Sequence, residues 1–342
     1  MNILSLFNGL GGLPLACDRA GISYDKCYYS EIDKYANKVM EKNYPDSIPL
    51  GDVTKWKEWD IDWSSIGLVS AGFPCQSWSV AGQQQGDKDE RGMLFWTTLE
   101  VISQVLKHNP NAKFLMENVK MKKEFEQYIT YHTEQALGAV EKILINSALV
   151  SAQNRNRYYW TNFEVTQPSD SGILLKDIIE DIDGDRICER IKEGNLGHIA
   201  TATDIKEMDC IKRVYGQDGK APTLTTMGGD HREPKIICRA TVQKNAEHTN
   251  GDKSPTLTAA MGVGGGNVPL ITDEETGLKF KGLYIDGNER TLYRKLTPIE
   301  CERLQTLPDN WTDCVSNTQR YKMIGNGWTI DVIAHILKHI SN

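Results

Sequence analysis

A doubly wound, mostly parallel α/β sheet with a smaller loop-rich second domain is the architecture this 342-residue sequence predicts. Three observations carry it. Short apolar runs alternate with helix-period segments over the first half of the chain. The first apolar run, NILSLF, meets a glycine turn, NGLGG, directly ahead of a helical stretch. Acidic residues (Glu31, Asp52, Glu117) stand where apolar runs stop, the edge at which such sheets bind ligands.

In chain order, NILSLF is a strand and LPLACDRAG a helix closing at Gly21. DKCYYSEID is a second strand. KYANKVMEKNY is a helix with Ala36, Val39, Met40 and Tyr44 on one face. IPLGDV is a third strand. IGLVSAGF is a fourth, apolar throughout as a buried parallel strand should be. A polar loop, AGQQQGDKDERG, leads into the helix MLFWTTLEVISQVLKH, and KFLMENV is a fifth strand. EKILINSALVSA and RYYWTNF read as two more. Near Pro168 the composition changes to Gly, Thr, Asp and Lys. The expected domains are 1–168 with 292–342, and 169–291 between them. KAPTLTTMGG at 220–229 is echoed by KSPTLTAAMGVGGG at 253–266, a duplicated strand–turn unit. In LTPIECERLQTL, Thr297 is placed to cap a helix, with Pro298 at its first position and Glu300 at its third. The last helix, DVIAHILKHI, sets Val332, Ile333, Ile336, Leu337 and Ile340 on one face, to pack back on the first domain.

Composition narrows the class. No apolar run reaches membrane-spanning length, and the N-terminus does not read as a signal peptide. Eight scattered cysteines form no CxxC, so neither a zinc site nor a disulfide framework is expected, and a reducing cytoplasm fits best. Net charge is −7, but residues 201–270 hold nine basic against eight acidic side chains, so the acidity lies elsewhere. Net charge therefore does not exclude a nucleic-acid partner, which needs only local positive potential.

The chemistry-bearing residues cluster at the predicted strand ends. Gly9, Gly11 and Gly12 allow a tight turn and close backbone approach to a ligand, though the spacing is not that of a dinucleotide fingerprint. Glu31 follows where an acid meets a ribose hydroxyl pair, and Asp52 is placed for an adenine amino group. Singly these are a glycine turn and two solvated acids; on three successive strand ends they point to an adenosine-type cofactor. Cys75, after Pro74 and beyond the fourth strand, sits where a nucleophile would, whereas an inert cysteine belongs within a strand. Glu117 in MENV ends the fifth strand on the same edge, and a carboxyl beside a thiol suits covalent attack coupled to proton donation. Arg155 and Arg157 in QNRNR would share one face of a strand, either as a surface charge pair or to bond a base carbonyl or phosphate.

These blocks, in this order, resemble the C5-cytosine DNA methyltransferase family: LFNGLGG, SEID, GDV, GFPCQSWS, ERGMLFW, MENV, QNRNR, RKLTPIECERLQTLP and IGNGWTIDV. The resemblance spans both ends and omits about 170–290, where the family keeps its variable target-recognition domain. It implies the fold of S-adenosylmethionine-dependent methyltransferases and transfer of a methyl group to C5 of a flipped cytosine in duplex DNA, leaving S-adenosylhomocysteine. Cys75 would attack C6, Glu117 would serve N3, and Asn118 and Arg157, with Arg155, Pro74 and Gln76, would hold the ring and its loop. Phe7, Gly9, Leu10, Gly11, Gly12, Glu31, Ile32, Asp52, Val53, Gly72, Pro74, Leu94, Asn326, Gly327 and Trp328 would surround the cofactor. DNA contacts would come from Gln83, Gln84, Gln85, Arg91 and the two Thr-Leu pairs, Thr223–Leu224 and Thr256–Leu257. The second pair is favoured for base reading because GVGGGN follows it.

The resemblance further implies a monomer in a bacterial cytoplasm, associated with the nucleoid, of bacterial or phage type, with a cognate restriction endonuclease as one potential partner and no metal. Ser5 replaces a common aspartate, Asn8 precedes the first glycine, and Trp328 replaces a small or aliphatic residue, so a slightly altered cofactor pocket is expected. The Trp328 block and SALVSAQNRNRYYW are similar to the animal de novo methyltransferases. Two rivals share the blocks. A transfer-RNA cytosine methyltransferase would carry Cys-Phe-Thr in its recognition region; here Cys188, Cys210 and Cys238 precede Glu189, Ile211 and Arg239. An inactive DNA-binding homologue would usually lose Pro-Cys or Glu-Asn-Val, and both are present.

Overall fold

The run Asn2–Leu6 forms the strand β1, with Ile3, Leu4 and Leu6 wholly buried. The computed structural model describes residues 1–74, 90–180, 186–190, 198–202, 205, 208–217, 219–227, 232–238, 283–285 and 288–341. After β1 the chain turns through Phe7, Gly9 and Gly11, all at positive φ, into α1 (Gly12–Ala20). That helix ends at Gly21, left-handed at φ 73°, whose N–H bonds the carbonyls of Cys17 and Asp18. β2 (Cys27–Ser30) leads to α2 (Lys34–Asn43), capped by the Asp33 carboxylate on the Tyr35 N–H. Ala36, Val39 and Met40 are buried as the periodicity predicts. β3 (Ile48–Gly51) stops before Asp52, which instead caps a short 3-10 turn by accepting from the Thr54 N–H. β4 (Ile66–Ala71) is apolar and buried.

α3 (Glu90–His108), β5 (Lys113–Val119), α4 (Lys123–Leu137), β6 (Glu141–Asn146) and β7 (Asn156–Thr161) complete the sheet and its cover. The predicted strand over 141–152 ends early because the Asn146 side-chain carbonyl accepts from the N–H groups of Ala148 and Arg155, which turns the chain. α4 is missing from the sequence reading, although Phe125, Tyr128, Ile129, His132 and Thr133 repeat at helical spacing.

The strand order is β3-β2-β1-β4-β5-β7-β6, with β1 to β5 mutually parallel and β7 antiparallel to both neighbours. The order reverses between β1 and β4, and open α/β sheets bind ligands in the crevice at that point. Beneath it Phe95, Val101, Ile102, Val105, Phe114, Met116 and Trp160 form a closed core. Each fully buried large side chain there contributes about 1.5–3 kcal/mol relative to exposure.

The described residues divide into two compact units. The first is Met1–Ile173, Pro222–Gly228 and Pro298–Asn342; the second is Leu174–Ala221 and Gly229–Thr297. The divisions fall a few residues beyond the expected boundaries. In the second unit, β8 (Arg186–Arg190), β9 (His198–Ala202), α5 (Asp209–Lys212), β10 (Arg213–Tyr215), β11 (Lys235–Cys238), β12 (Leu283–Ile285) and β13 (Asn288–Lys295) follow in order. β8 through β11 pair in sequence, and β13 pairs with both β11 and β8, so the sheet closes on itself with β12 appended as a hairpin. Closure leaves these short strands without open edges over a small core of Ala200, Ala202, Ile205 and Val214.

The first unit ends with α6 (Pro298–Leu304), α7 (Asn317–Asn326) and α8 (Ile330–Lys338). α6 starts at Pro298 as expected. α8 buries Val332, Ile333, Ile336 and Leu337 and packs on α1, with Arg19 and Asp331 paired at 2.7 Å. Glu302 is fully buried and accepts from the N–H groups of Asn310 and Thr312 and from Arg320. It thereby fixes the loop whose Trp311 indole donates to the Leu10 carbonyl of the glycine turn. Among the described residues no helix is long and apolar enough to cross a membrane.

The segment 222–228 was expected in the recognition domain but folds with the first unit. Leu224 is 1% exposed, its N–H donates to the Gln153 side chain, and the Thr223 hydroxyl donates to the Asn154 carbonyl. These contacts leave the Leu224 side chain inside, a correction to its expected role in reading DNA. Gly325 makes the approach possible: a Cβ there would lie 1.7 Å from the Thr225 carbonyl oxygen, a backbone atom. Gly325→Ala should therefore lower the stability of the full chain by about 3 kcal/mol, the upper end for overpacking. Urea unfolding measures it, and a loss under ~0.5 kcal/mol, the range of neutral surface changes, would show that the strap does not lie against α7.

Candidate active site

A cleft of about 460 Å³ opens in the first unit at the carboxyl ends of β1 to β5. Each strand delivers part of its wall: Phe7 and Gly9 after β1, Ser30 to Asp33 at and after β2, Asp52 and Val53 after β3, Gly72 to Pro74 after β4, and Glu117 to Val119 on β5. Ala36 of α2, Leu94 of α3, Arg155, Arg157 and the α7 residues Lys322, Met323, Gly325 and Asn326, with Gly327, complete it. Strand parallelism explains the gathering, because every parallel strand ends on the same edge.

Glu31 is held in place by backbone N–H groups. One oxygen accepts from the Gly9 N–H at 2.8 Å, the other from the N–H groups of Ile32 and Asp33, each at 2.8 Å. The glycine turn and the end of β2 are thereby locked together, with acceptor capacity on the carboxylate remaining. Asp52 uses Oδ1 on Thr54 and also lines the cleft.

A smaller cavity of about 40 Å³ adjoins the cleft and is lined by Asn8, Leu10, Gly12, Leu307, Trp328 and Ile330, sharing Phe7, Gly9, Gly72, Asn326 and Gly327 with it. Asn8 is 7% exposed, and neither Nδ2 nor Oδ1 of its carboxamide has a partner among the described residues. Gly11 lines neither cavity, because its Cα faces the Met40 sulfur of α2. Trp328 lines only the smaller one, contrary to its expected place on the main pocket wall.

Glu117 is the acid at the centre. It is 8% exposed, and its two oxygens have different donors: Arg157 Nε at 3.0 Å from Oε1 and Trp328 Nε1 at 3.1 Å from Oε2. β5 and β7 are antiparallel with Val119 opposite Arg157, which brings the arginine beside Glu117. The neighbouring Tyr159 is buried and its phenol is pushed well above the ordinary range, first by burial and then by the Glu117 charge.

Two expected substrate-facing residues line the cleft and also bond the chain's own backbone. Asn118 is 1% exposed and its amide donates to the Phe73 carbonyl at 3.1 Å, fixing the backbone that leads into Pro74 and on to residue 75. Arg155 does not share a strand face with Arg157, for it precedes β7 and is 3% exposed. Its guanidinium donates to the carbonyls of Leu224, Gly325 and Gly327 at 3.0, 3.3 and 2.9 Å. Five fixed donors suit arginine to such a role.

Cys75, Gln76, Gln83, Gln84, Gln85, Thr256 and Leu257 lie outside the described residues, as does the side chain of Arg91. Of the described cysteines, Cys17 and Cys27 are buried within α1 and β2, and burial pushes both thiols up, that of Cys27 to about 11. Neither is a thiolate near neutral pH. The sequence reading missed the pair Lys322–Asp33, at 3.1 Å, on the cleft wall. It also missed Gln305, which donates to the carbonyls of Ile324 and Gly327. Nothing in local sequence marks partners so far apart.

The family model described as C-5 cytosine-specific DNA methylase matches residues 1–342. The chain is 27% identical to the orphan methyltransferase M.SPBetaI of Bacillus phage SPbeta, covering 99% of this chain and 97% of that one. It is 26% identical to the type II methyltransferase M.HhaI of Haemophilus parahaemolyticus, over 100% and 94%. Among solved structures, the methyltransferase EhMeth of Entamoeba histolytica superposes with a TM-score of 0.62 at 16% identity, over 99% and 97%. A prophage-encoded putative DNA modification methyltransferase of E. coli gives 0.58 at 18%, over 100% and 99%, and both likenesses bear on the fold alone. The cleft therefore lies in a chain that belongs to the C-5 cytosine-specific DNA methylase family.

Proposed function

We propose that the protein transfers a methyl group from S-adenosyl-L-methionine to C5 of a cytosine flipped out of duplex DNA, through a covalent bond between Cys75 and C6. The observation that carries the reading is the doubly held Glu117 in a cleft whose wall includes Gly72, Phe73 and Pro74, the residues that precede Cys75 in sequence. The donor set fits the cofactor. Glu31 retains acceptor capacity for a ribose hydroxyl, Asp52 has a free oxygen for an amino group, and Phe7 offers an aromatic wall. The cleft volume lies within the ordinary range for ligands of this size. S-adenosylmethionine, when bound, supplies an electrophilic methyl carbon.

The protein's own residues do the rest. Cytosine C5 is a poor nucleophile. Attack by the Cys75 thiolate forms the S–C6 bond, and the C5–C6 π pair shifts to make C5 nucleophilic. Glu117 bonds N3, so the charge developing on the ring meets a proton rather than an unrelieved anion. Arg157 holds Glu117 and reaches toward the ring oxygen. After C5 is methylated, leaving S-adenosyl-L-homocysteine, loss of the C5 proton to solvent returns its electron pair to C5–C6 and expels the thiolate, regenerating Cys75, while the N3 proton returns to Glu117. A stacked base is out of reach, so the nucleotide must leave the duplex, at about a few kcal/mol. To Gln76 and Gln83 to Gln85, which precede α3 in sequence, we assign the filling of the gap, and to Arg91 a contact with the DNA backbone. Recognition falls to the second unit, with Thr256–Leu257 as its reading pair. Double-stranded DNA is thus the partner; a bacterial cytoplasm, a monomeric state and a companion endonuclease follow the same family reading.

Cys75→Ser should abolish methyl transfer while cofactor affinity stays within about threefold, since its proposed role is attack on the base and not holding the cofactor. Duplex DNA carrying 5-fluorocytosine should trap a gel-stable adduct with the wild type and cofactor, because fluorine prevents release from C5. Turnover by the serine variant, or no adduct with active enzyme, would exclude the mechanism. Tritiated methyl incorporation into duplex DNA and not bulk transfer RNA separates the two substrate classes.

Glu31→Ala should weaken S-adenosylmethionine binding about tenfold or more, measured by calorimetry, through loss of a charged acceptor and of the anchored glycine turn. Unchanged affinity would place the cofactor elsewhere.

Changing Thr256 and Leu257 together to alanine should reduce methylation of the preferred site by roughly ten- to a hundredfold, the scale of a lost base contact. Cofactor affinity should be unaffected. The same change at Thr223 and Leu224 should register first as lost stability, because Leu224 is buried. Duplexes with single-base changes around the target provide the readout.

A further inference from the structure

We infer that Trp328 is a positioning residue for Glu117: its indole N–H fixes one carboxylate oxygen while Arg157 fixes the other. The inference rests on the role assigned to Glu117 above. The two donors arrive from distant parts of the chain, Trp328 Nε1 at 3.1 Å from Oε2 and Arg157 Nε at 3.0 Å from Oε1. A carboxylate held at both oxygens does not rotate about its terminal torsion, and each oxygen keeps a second lone pair on which the proton shared with cytosine N3 can sit.

The indole occupies a slot formed by two glycines. A Cβ on Gly72 would lie 2.9 Å from Trp328 Nε1 and 3.4 Å from Glu117 Oε2. A Cβ on Gly12 would lie 3.1 Å from Trp328 Cε3. Any side chain at Gly72 would therefore wedge into the Trp328–Glu117 contact itself.

The backbone on either side of the tryptophan is pinned as well. The Gly327 carbonyl accepts from Arg155 at 2.9 Å and from Gln305 at 3.2 Å. The Thr329 hydroxyl donates to Gln305 Oε1 at 2.8 Å and accepts from Ser147 at 2.9 Å. Since Trp328 lines the small cavity and not the main cleft, it supports Glu117 from behind rather than forming a wall against the cofactor.

The test compares the full-length wild type with Trp328→Phe, which keeps an aromatic ring and removes the donor, and with Glu117→Ala. Trp328→Phe should lower kcat for DNA methylation about tenfold to a hundredfold, the scale of one hydrogen bond to a charged group. The KM for S-adenosylmethionine should change by less than about threefold, since the main cleft is untouched. Independently of activity and of how Trp328→Phe folds, one of the eight indole N–H resonances in ¹⁵N-tryptophan-labelled protein should move in Glu117→Ala. Unchanged kcat, a loss carried by KM alone, or eight indole signals indifferent to Glu117→Ala would each overturn the positioning role. Full turnover in Glu117→Ala would instead overturn the mechanism proposed for Glu117, and the role of Trp328 with it.

Discussion

The Arg155 guanidinium, bonded to backbone carbonyls of three residues from two distant segments, is the interaction on which the cleft depends. It ties Leu224 of the internal strap and Gly325 and Gly327 of the C-terminal segment to the chain just before β7. Gln153, two residues earlier, receives the Leu224 N–H and donates to the Leu304 carbonyl. Gln305 closes the circuit on Ile324, Gly327 and Thr329. Buried carbonyls without partners would each cost about 1–3 kcal/mol, so this network decides where three segments can lie. Because Asn326 and Gly327 form cleft wall and Trp328 reaches Glu117, its geometry passes directly to the site.

A second constraint is the parallel sheet. Five parallel strands end on one edge, so residues at 7, 31, 52, 73 and 117 meet without any of them being near in sequence. Burial of β1 and β4 on both faces makes that edge rigid. The turns beyond it supply the chemistry: Glu31 locks the glycine turn, and Asn118 locks the approach to residue 75. Polar side chains on the cleft wall thus also hold backbone in place around Glu117 and Arg157.

The second unit solves a different problem. Its strands are short and its apolar residues few, so an open sheet would leave exposed edges over a thin core. Pairing β13 with both β11 and β8 closes the ring and removes those edges.

By itself the sequence determined the alternation of strands and helices, the helix stop at Gly21 and the helix start at Pro298, and the place of Glu31, Asp52 and Glu117 at strand ends. These depend on local backbone preference and short-range periodicity, which a window of ten residues contains. Its motifs also named the family that the comparison confirms. The early stop of β6 and the helix α4 were legible in principle, since Asn146 and the spacing from Phe125 to Thr133 are local signals. Only the tertiary structure decided that Arg155 and Asn118, on the cleft wall, also bind backbone carbonyls, that Leu224 is buried in the first unit, and that Trp328 bonds Glu117. Each is a contact across 45 to 211 positions, set by which carbonyls and carboxylates remain unpaired once the sheet has formed. That pairing is a property of the folded chain as a whole, and no short stretch of sequence contains it.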